Sequence, residues 1–325
     1  MSNQVKRRAA LAAIISTLGL PAFAQTGSYP NRPIKIIMPW AAGGGGDVIV
    51  RMLAPSLSKR LGQPVVVENR PGAIGTIGSL AAARSPADGY TLVYGAADSH
   101  SIAPHILKQI PYDAKKDFVA IAPIGYPPLA LVVSASSPAK NFEHFMQMAK
   151  AAKEPLTFGS WGLGGSGHIT MEAFKQVTRV NLLHVPYNGT APLIQAQLGN
   201  QIDCSINTLP VVEQHVRNGQ LRLLAVAAKE RISQFPDAPL LKEMGVPIEM
   251  GPWLGFLAPT GVPDDILNKL HEAIDASFSE PAIVEQMKKM TMFIEHIDQR
   301  SYNNFYQSEF DRWGQYIRTA NIKLD

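Results

Sequence analysis

Ile34-Lys-Ile-Ile-Met-Pro-Trp-Ala-Ala-Gly-Gly-Gly-Gly-Asp-Val-Ile-Val-Arg51 joins a short apolar strand to a helix through four consecutive glycines. Glycine there permits positive φ and lets a ligand come close to the main chain. The helix behind it aims unpaired N–H groups and the positive end of its dipole into the loop, which favours an anion. A phosphate loop would end in Gly-Lys-Ser/Thr, but Gly46 is followed by Asp47 and Val48. A dinucleotide loop needs a third glycine or alanine in register, and Gly43-x-Gly45 and Gly44-x-Gly46 run on into Val48 and Ile49. Asp47 is read as the cap of its own helix, which also fixes the loop shape. The stretch is therefore expected to cradle a small carboxylate or similar anion, with Trp40, Ala42, Gly43, Gly44 and Asp47 as candidate contacts. The plainer reading of the same glycines is a flexible strand-to-helix connection.

Outward from this stretch the chain alternates strand and helix. Apolar runs bounded by Gly or Pro predict strands at 34–39, 65–68, 91–94, 118–124, 129–133, 156–159, 182–185, 203–206, 221–227, 253–258 and 293–297. They have the character of strands buried on both faces of a parallel sheet. Gly62, Gly219 and Gly245 stand just past helical patterns, and Pro263-Asp264-Asp265 opens another. Pro55 conflicts with its own helical pattern and should kink or divide that helix. The expected fold class is α/β, as two doubly wound lobes joined by a hinge. The Pro-rich run 123–128 and a return crossing near 251–253 make residues 25–125 and 251–325 a discontinuous first lobe, with 126–250 as the second. Two crossings make a hinge, and a hinge between α/β lobes makes a closing cleft. A last helix over 299–320 lines up Tyr302, Phe305, Tyr306, Phe310, Trp313 and Ile317 on one face, a core-packing stripe that seals the C-terminal lobe.

Residues 1–24 read as a secretory signal peptide. They combine the basic start Lys6-Arg7-Arg8, an apolar run too short to span a bilayer with ease, and the small-residue cleavage motif Ala22-Phe-Ala24. The expected location is the periplasm, by the general or the twin-arginine route. Without the leader the net charge falls from +4 to +1, 27 basic residues against 26 acidic. The basic balance thus belongs mostly to targeting, and no nucleic-acid partner is expected. The one cysteine, Cys204, lies in an apolar stretch and reads as a small core residue. A core of this size does without a disulfide in an oxidising compartment.

Other clusters repeat the theme. Gly72-Ala-Ile-Gly75-Thr-Ile-Gly78 lacks dinucleotide spacing; Gly72 and Gly78 suit close helix–sheet packing, and Thr76 offers a ligand or cap hydroxyl. Ser160-Trp-Gly-Leu-Gly-Gly-Ser-Gly-His168 resembles the first loop in kind and adds Ser160, Trp161, Gly164, Gly165 and Ser166 as candidates. A nucleophile elbow at Ser166 fails, because His168 stands where glycine is required. Neighbouring positions at a helix start point apart, which disfavours His168 as a base for Ser166. His184-Val-Pro-Tyr-Asn-Gly-Thr-Ala-Pro192 supplies Tyr187 as an aromatic wall and Thr190 as a cap. Ser99, His100 and Asn207 follow strands, where ligands of doubly wound sheets lie. No histidine pair has metal spacing, and no carboxylate pair or activated nucleophile accompanies these loops, so catalytic residues, metals and cofactors are not expected.

Tyr29-Pro-x-Arg-Pro33, Pro39-Trp-x-x-Gly-Gly, Gly62-Gln-Pro-Val-Val-Val-Glu-Asn-Arg-Pro-Gly72, Pro86-x-Asp-Gly-Tyr90, His184-Val-Pro-Tyr-x-Gly189 and Trp253-x-Gly-x-x-Ala-Pro259 resemble the Bug family over nearly the whole mature chain. These are extracytoplasmic solute-binding proteins of tripartite tricarboxylate transporters. The resemblance implies a two-lobed Venus flytrap that binds a carboxylated metabolite through loop amides and ordered waters rather than arginine. It implies that Trp40 to Gly44 hold one carboxylate from the first lobe, with Gly164 to Ser166 and Thr190 closing from the second. Asn207 stands where many members carry an aspartate that can meet an amino group, which argues against an amino-acid ligand. Trp40 replaces the commoner phenylalanine, and Trp161 is unusual at its place; two indoles could stack on an aromatic acid. The expected function is periplasmic capture of a small carboxylate, aromatic or aliphatic, for delivery to transporter subunits or a sensor, by a monomer. A secreted serine hydrolase using Ser166 and a ligand-sensing module are the alternatives.

Overall fold

The computed structural model describes residues 29–248 and 251–319. The expected signal peptide, its expected cleavage site near Ala24, and Ala320 of the expected last helix lie outside the described residues. The chain first runs β1 (Ile34–Met38), α1 (Gly45–Leu61), β2 (Val65–Asn69), α2 (Thr76–Ala83), β3 (Thr91–Ala96), a π-helical turn over Asp98–Ile102, α3 (Ala103–Ile106) and β4 (Phe118–Gly125). It continues through β5 (Leu129–Ser134), α4 (Phe142–Ala151), β6 (Leu156–Ser160), α5 (Ser166–Thr178), β7 (Leu182–Pro186), α6 (Thr190–Leu198), β8 (Cys204–Thr208), α7 (Leu209–Arg217) and β9 (Leu221–Ala227). It ends with β10 (Leu254–Pro259), α8 (Asp264–Phe278), α9 (Pro281–Lys289) and α10 (Gln299–Thr319).

The strands form two five-stranded sheets, ordered β2-β1-β3-β10-β4 and β7-β6-β8-β5-β9. Each sheet with its helices makes one lobe. In lobe one, β1 pairs in parallel with both β2 and β3; in lobe two, β6 does the same with β7 and β8. The expectation of parallel sheets needs correction, because β10 and β5 insert antiparallel to their neighbours. Order therefore reverses at β1 in one lobe and at β6 in the other. Such reversal points open a crevice beyond the carboxyl ends of the strands, where the loops 39–44 and 161–165 emerge.

Two local expectations also change. Residues 293–297 form no strand; Phe293 makes one bridge to Tyr126, and their rings stack at 5.2 Å. Gly125, at φ +123°, lets the Phe293 carbonyl come so close that a Cβ would overlap it at 1.7 Å, and the crossing segment has no length left to pair. Pro55 does not divide α1. Its ring is exposed, so the Arg51 carbonyl it leaves without a helical donor can turn to water.

Apolar runs become cores as expected of them: Ile34, Ile36, Ile37 and Met38 of β1 are buried, as is every residue of β5. Cys204 is buried in lobe two, where burial pushes its thiol pKa up and away from reactivity. Helix α10 buries Tyr302, Tyr306, Trp313 and Ile317 against lobe one, in a cluster with Trp253 and with Ile169 of α5. Gly255 of β10 is required for this: a Cβ there would sit 1.6 Å from the Tyr302 hydroxyl.

Asp47 braces the first glycine loop. Its Oδ2 accepts the Arg51 Nε and Gly43 N–H groups, and its Oδ1 accepts Asn69 Nδ2, each at 2.9 Å. The helix itself begins at Gly44, which offers no side-chain cap, so Asp47 reaches back to the loop instead of capping α1. The Arg51 bond above all, then the Gly43 and Asn69 bonds, hold the Asp47 carboxyl at about 2 against the opposing cost of burial.

Two predictions follow from this packing. Gly255→Ala should destabilise the protein by about 1–3 kcal/mol through overpacking against Tyr302, read in denaturant melts. For Asp47, the folded pKa lies below the unfolded one, so its contribution is complete above about pH 4 and is lost as pH falls towards 2. With Arg51 half-exposed, this contribution is about 1–2 kcal/mol. Asp47→Asn should therefore melt below wild type at pH 7, and the two melting curves should converge below about pH 2.

Candidate functional site

A cavity of about 450 Å³ lies between the carboxyl ends of the two sheets. Lobe one lines it with Trp40, Gly44, Gly45, Gly46, Tyr94 and Asp98, and lobe two with Trp161, Gly165, Ser166, Gly189 and Thr190. Pro127, Pro252, Met290 and Met292 close another side. A larger depression of about 690 Å³ lies by the start of α4 and the amino end of β9. It touches neither glycine loop and lies at no carboxyl strand end, so the interlobe cavity is the candidate site.

In lobe one, β1 delivers the chain to Trp40, whose ring meets Tyr94 edge-on at 5.4 Å and whose carbonyl accepts Asn69 Nδ2 at 3.0 Å. Gly43 takes φ +84°, and its N–H is already given to Asp47. Gly44 to Gly46 then bring the first turn of α1 to the cavity wall. At Gly46 nothing larger fits: a Cβ would lie 2.6 Å from the Tyr94 hydroxyl. The first-turn N–H groups have no intrahelical partner, and the dipole adds partial positive charge at the same place.

In lobe two, Trp161 lies against Gly167, where a Cβ would meet its ring at 2.6 Å. Beneath the loop, the rings of His168 and His184 stack at 3.9 Å. His168 Nδ1 accepts the Gly164 N–H at 3.1 Å, and His184 Nε2 bonds Ser160 Oγ at 2.8 Å. Burial lowers both pKa values, that of His184 to about 3, so the stack is neutral at ordinary pH. Ser166, at the start of α5, donates its N–H to Asp98 Oδ1 at 2.8 Å and its hydroxyl to Oδ2 at 3.1 Å. A lobe-one carboxylate thus caps a lobe-two helix. Burial raises the Asp98 pKa, and the Ser166 bonds oppose the rise.

Of the residues expected from the sequence, Trp40, Gly44, Asp47, Trp161, Gly165, Ser166 and Thr190 come together around the cavity. Others are placed elsewhere. Thr76 donates its hydroxyl to Ala73, within its own turn. Ser99 and His100 are fully buried and bonded to each other, and His100 sits among Tyr112, Phe118, Trp253 and Tyr306. Desolvation there holds His100 at about 3. Ser160 and Gly164 are buried supports of the second loop, and Tyr187 packs with Leu193 and Ile202. Asn207 is fully buried in β8 and donates to Ser205 Oγ. Ala42 and Gly43 shape the first loop without lining the cavity. Gly45, Gly46, Tyr94, Asp98, Met290 and Met292 line the cavity without being candidates from the sequence, although Asp98 opens the strand-end run Asp98-Ser99-His100.

The arrangement presents main-chain donors, a bonded hydroxyl and apolar walls to the cavity. Ser166 gives its hydroxyl to a carboxylate and not to an imidazole, and Ser160, which does meet a histidine, is buried away from the cavity. Neither has the accessible nucleophile–base geometry that acyl transfer needs. Among the described residues no group of three His, Cys, Asp or Glu side chains is placed to hold a metal ion.

Comparison with known proteins supplies the lineage. Residues 49–322 match the family model of the tripartite tricarboxylate transporter family receptor. BugT of Bordetella pertussis is 33% identical over 326 residues, covering 99% of both chains. Among solved structures, R. palustris Rpa4515 with adipate superimposes with a TM-score of 0.82 at 28% identity, over 91% of this chain and all of the other. MatC of Rhodopseudomonas palustris, with bound malate, has a TM-score of 0.78 at 26% identity, over 89% of this chain and all of the other. The chain belongs to the tripartite tricarboxylate transporter receptor family, with Bug proteins as its relatives along almost the whole sequence.

Proposed function

We propose that this protein is a periplasmic binding protein that captures a small carboxylate between its lobes and delivers it to a tripartite tricarboxylate-type membrane transporter. The observation that carries the reading is the placement of Gly44, Gly45 and Gly46 at the cavity wall. There the start of α1 offers main-chain donors and partial positive charge in surroundings that contain no lysine, arginine or histidine. Main-chain donors suit a carboxylate and need no desolvated cation. Adipate and malate in the related structures are carboxylates as well. In this reading residues 126–128 and the return crossing near 251–253 form the hinge.

Trp40 and Trp161 both line the cavity, so ligand entry reports itself in tryptophan fluorescence. Titration with a panel of mono- and dicarboxylates should give a saturable change for at least one, while neutral sugars give none. The same ligand should raise the melting temperature as its concentration passes Kd. Absence of a saturable response to every carboxylate would refute capture. Gly46→Ala should keep the fold but displace Tyr94 and weaken binding at least tenfold, measured in the same titration.

A further inference from the structure

Asp98 reaches across the cleft from the end of β3, and both its oxygens are engaged by Ser166. A protein carboxylate therefore already occupies the start of α5, the lobe-two counterpart of the cradle at α1. Three further donors of that loop are also committed: Gly162 N–H to Ser160 Oγ, Gly164 N–H to His168 Nδ1, and Gly165 N–H to the Gly162 carbonyl. In the lobe-one loop Gly43 gives its N–H to Asp47, while Gly44 to Gly46 front the cavity.

The charges point the same way. Among the described residues, Asp47 and Asp98 are the carboxylate side chains lining the cavity. Asp47 is paired with Arg51; Asp98 has no cation partner among the described residues. A second ligand carboxylate at the lobe-two end would face Asp98 at close range with no counter-charge. What lies between the two ends is apolar: Trp40, Tyr94, Trp161, Leu163, Met290 and Met292.

We propose that Asp98 is a specificity-determining residue: it fills the lobe-two cradle with the protein's own carboxylate, so the cleft takes monocarboxylates with an apolar body and rejects dicarboxylates. The proposal rests on the carboxylate-capture reading and separates this chain from its relatives solved with adipate and malate, which are dicarboxylates.

Calorimetric titration of the mature protein at neutral pH with two matched pairs, hexanoate against adipate and benzoate against terephthalate, tests it. Wild type should bind a monoacid at least tenfold tighter than the diacid of the same skeleton. Asp98→Ala should move that ratio at least tenfold towards the diacid. Asp98→Asn keeps the shape and can still bridge to Ser166, so it should shift the ratio in the same direction, and it decides the matter if the alanine variant does not fold. Wild type preferring the diacids, or a ratio unchanged in the folded variants, overturns the proposal while leaving carboxylate capture standing. Binding of none of the four acids by wild type, together with silence across the wider fluorescence panel, overturns both.

Discussion

Helices α1 and α5 begin at the cavity, one in each lobe, and the first turn of each leaves backbone N–H groups that need acceptors. Buried donors without partners cost about 1–3 kcal/mol apiece, so the fold must answer for both starts. At α5 the answer is internal: Asp98 of the opposite lobe accepts from Ser166. At α1 the sequence provides no side-chain cap at Gly44, and Asp47 turns its carboxylate back to Gly43. The start of α1 is left facing the cavity. Water can serve it in the empty protein, and an anion serves it better because the dipole adds to the hydrogen bonds.

Topology explains why both starts converge. In each lobe the parallel trio reverses direction of growth about its middle strand, β1 or β6, and the glycine loop leaves that strand. The loops also depend on having no Cβ where a ring packs: Tyr94 over Gly46 and Trp161 over Gly167. Each glycine thus brings an aromatic ring down onto a helix start. The result is a wall that combines main-chain donors with flat apolar surface, and it needs no cation to recognise charge.

Much of this was legible in the sequence, for physical reasons that also mark where legibility ended. Ten of the expected strands are present because short apolar runs between Gly and Pro report burial on both faces, a local property. The run 293–297 has the same local character but meets a chain crossing at Gly125 and Tyr126, a tertiary circumstance. Trp40, Gly44 and Ser166 lie at the cavity wall, and their glycine clusters at helix starts are local features too. His100 and Asn207 looked like cleft residues from their strand-end positions, yet the aromatic cluster around Tyr306 and the β5 pairing bury them. Asp98 was visible only as the start of a strand-end run, because its partner Ser166 is 68 residues away. Composition said nothing of Met290 and Met292 reaching the cavity, since they follow α9 on a segment without regular structure.

The Asp98–Ser166 bond is not an isolated contact. One turn further along α5, Ile169 is fully buried among Trp253, Tyr302 and Tyr306 of lobe one. Burying such a side chain contributes about 2–3 kcal/mol, and a hydrogen bond about 0.5–1.5 kcal/mol. Together these match or exceed the few kcal/mol that typically separate conformers of a two-state protein. The lobes are therefore held together along the α5–α10 face by more than a ligand. Leu163 and Val211 line the same cavity but stand 50% and 36% exposed. Solvent reaches the cleft past those two side chains, where parting the walls breaks little. The Asp98 contact can keep its geometry while that rim moves, so the charged end of the cavity is set by the fold before any ligand arrives.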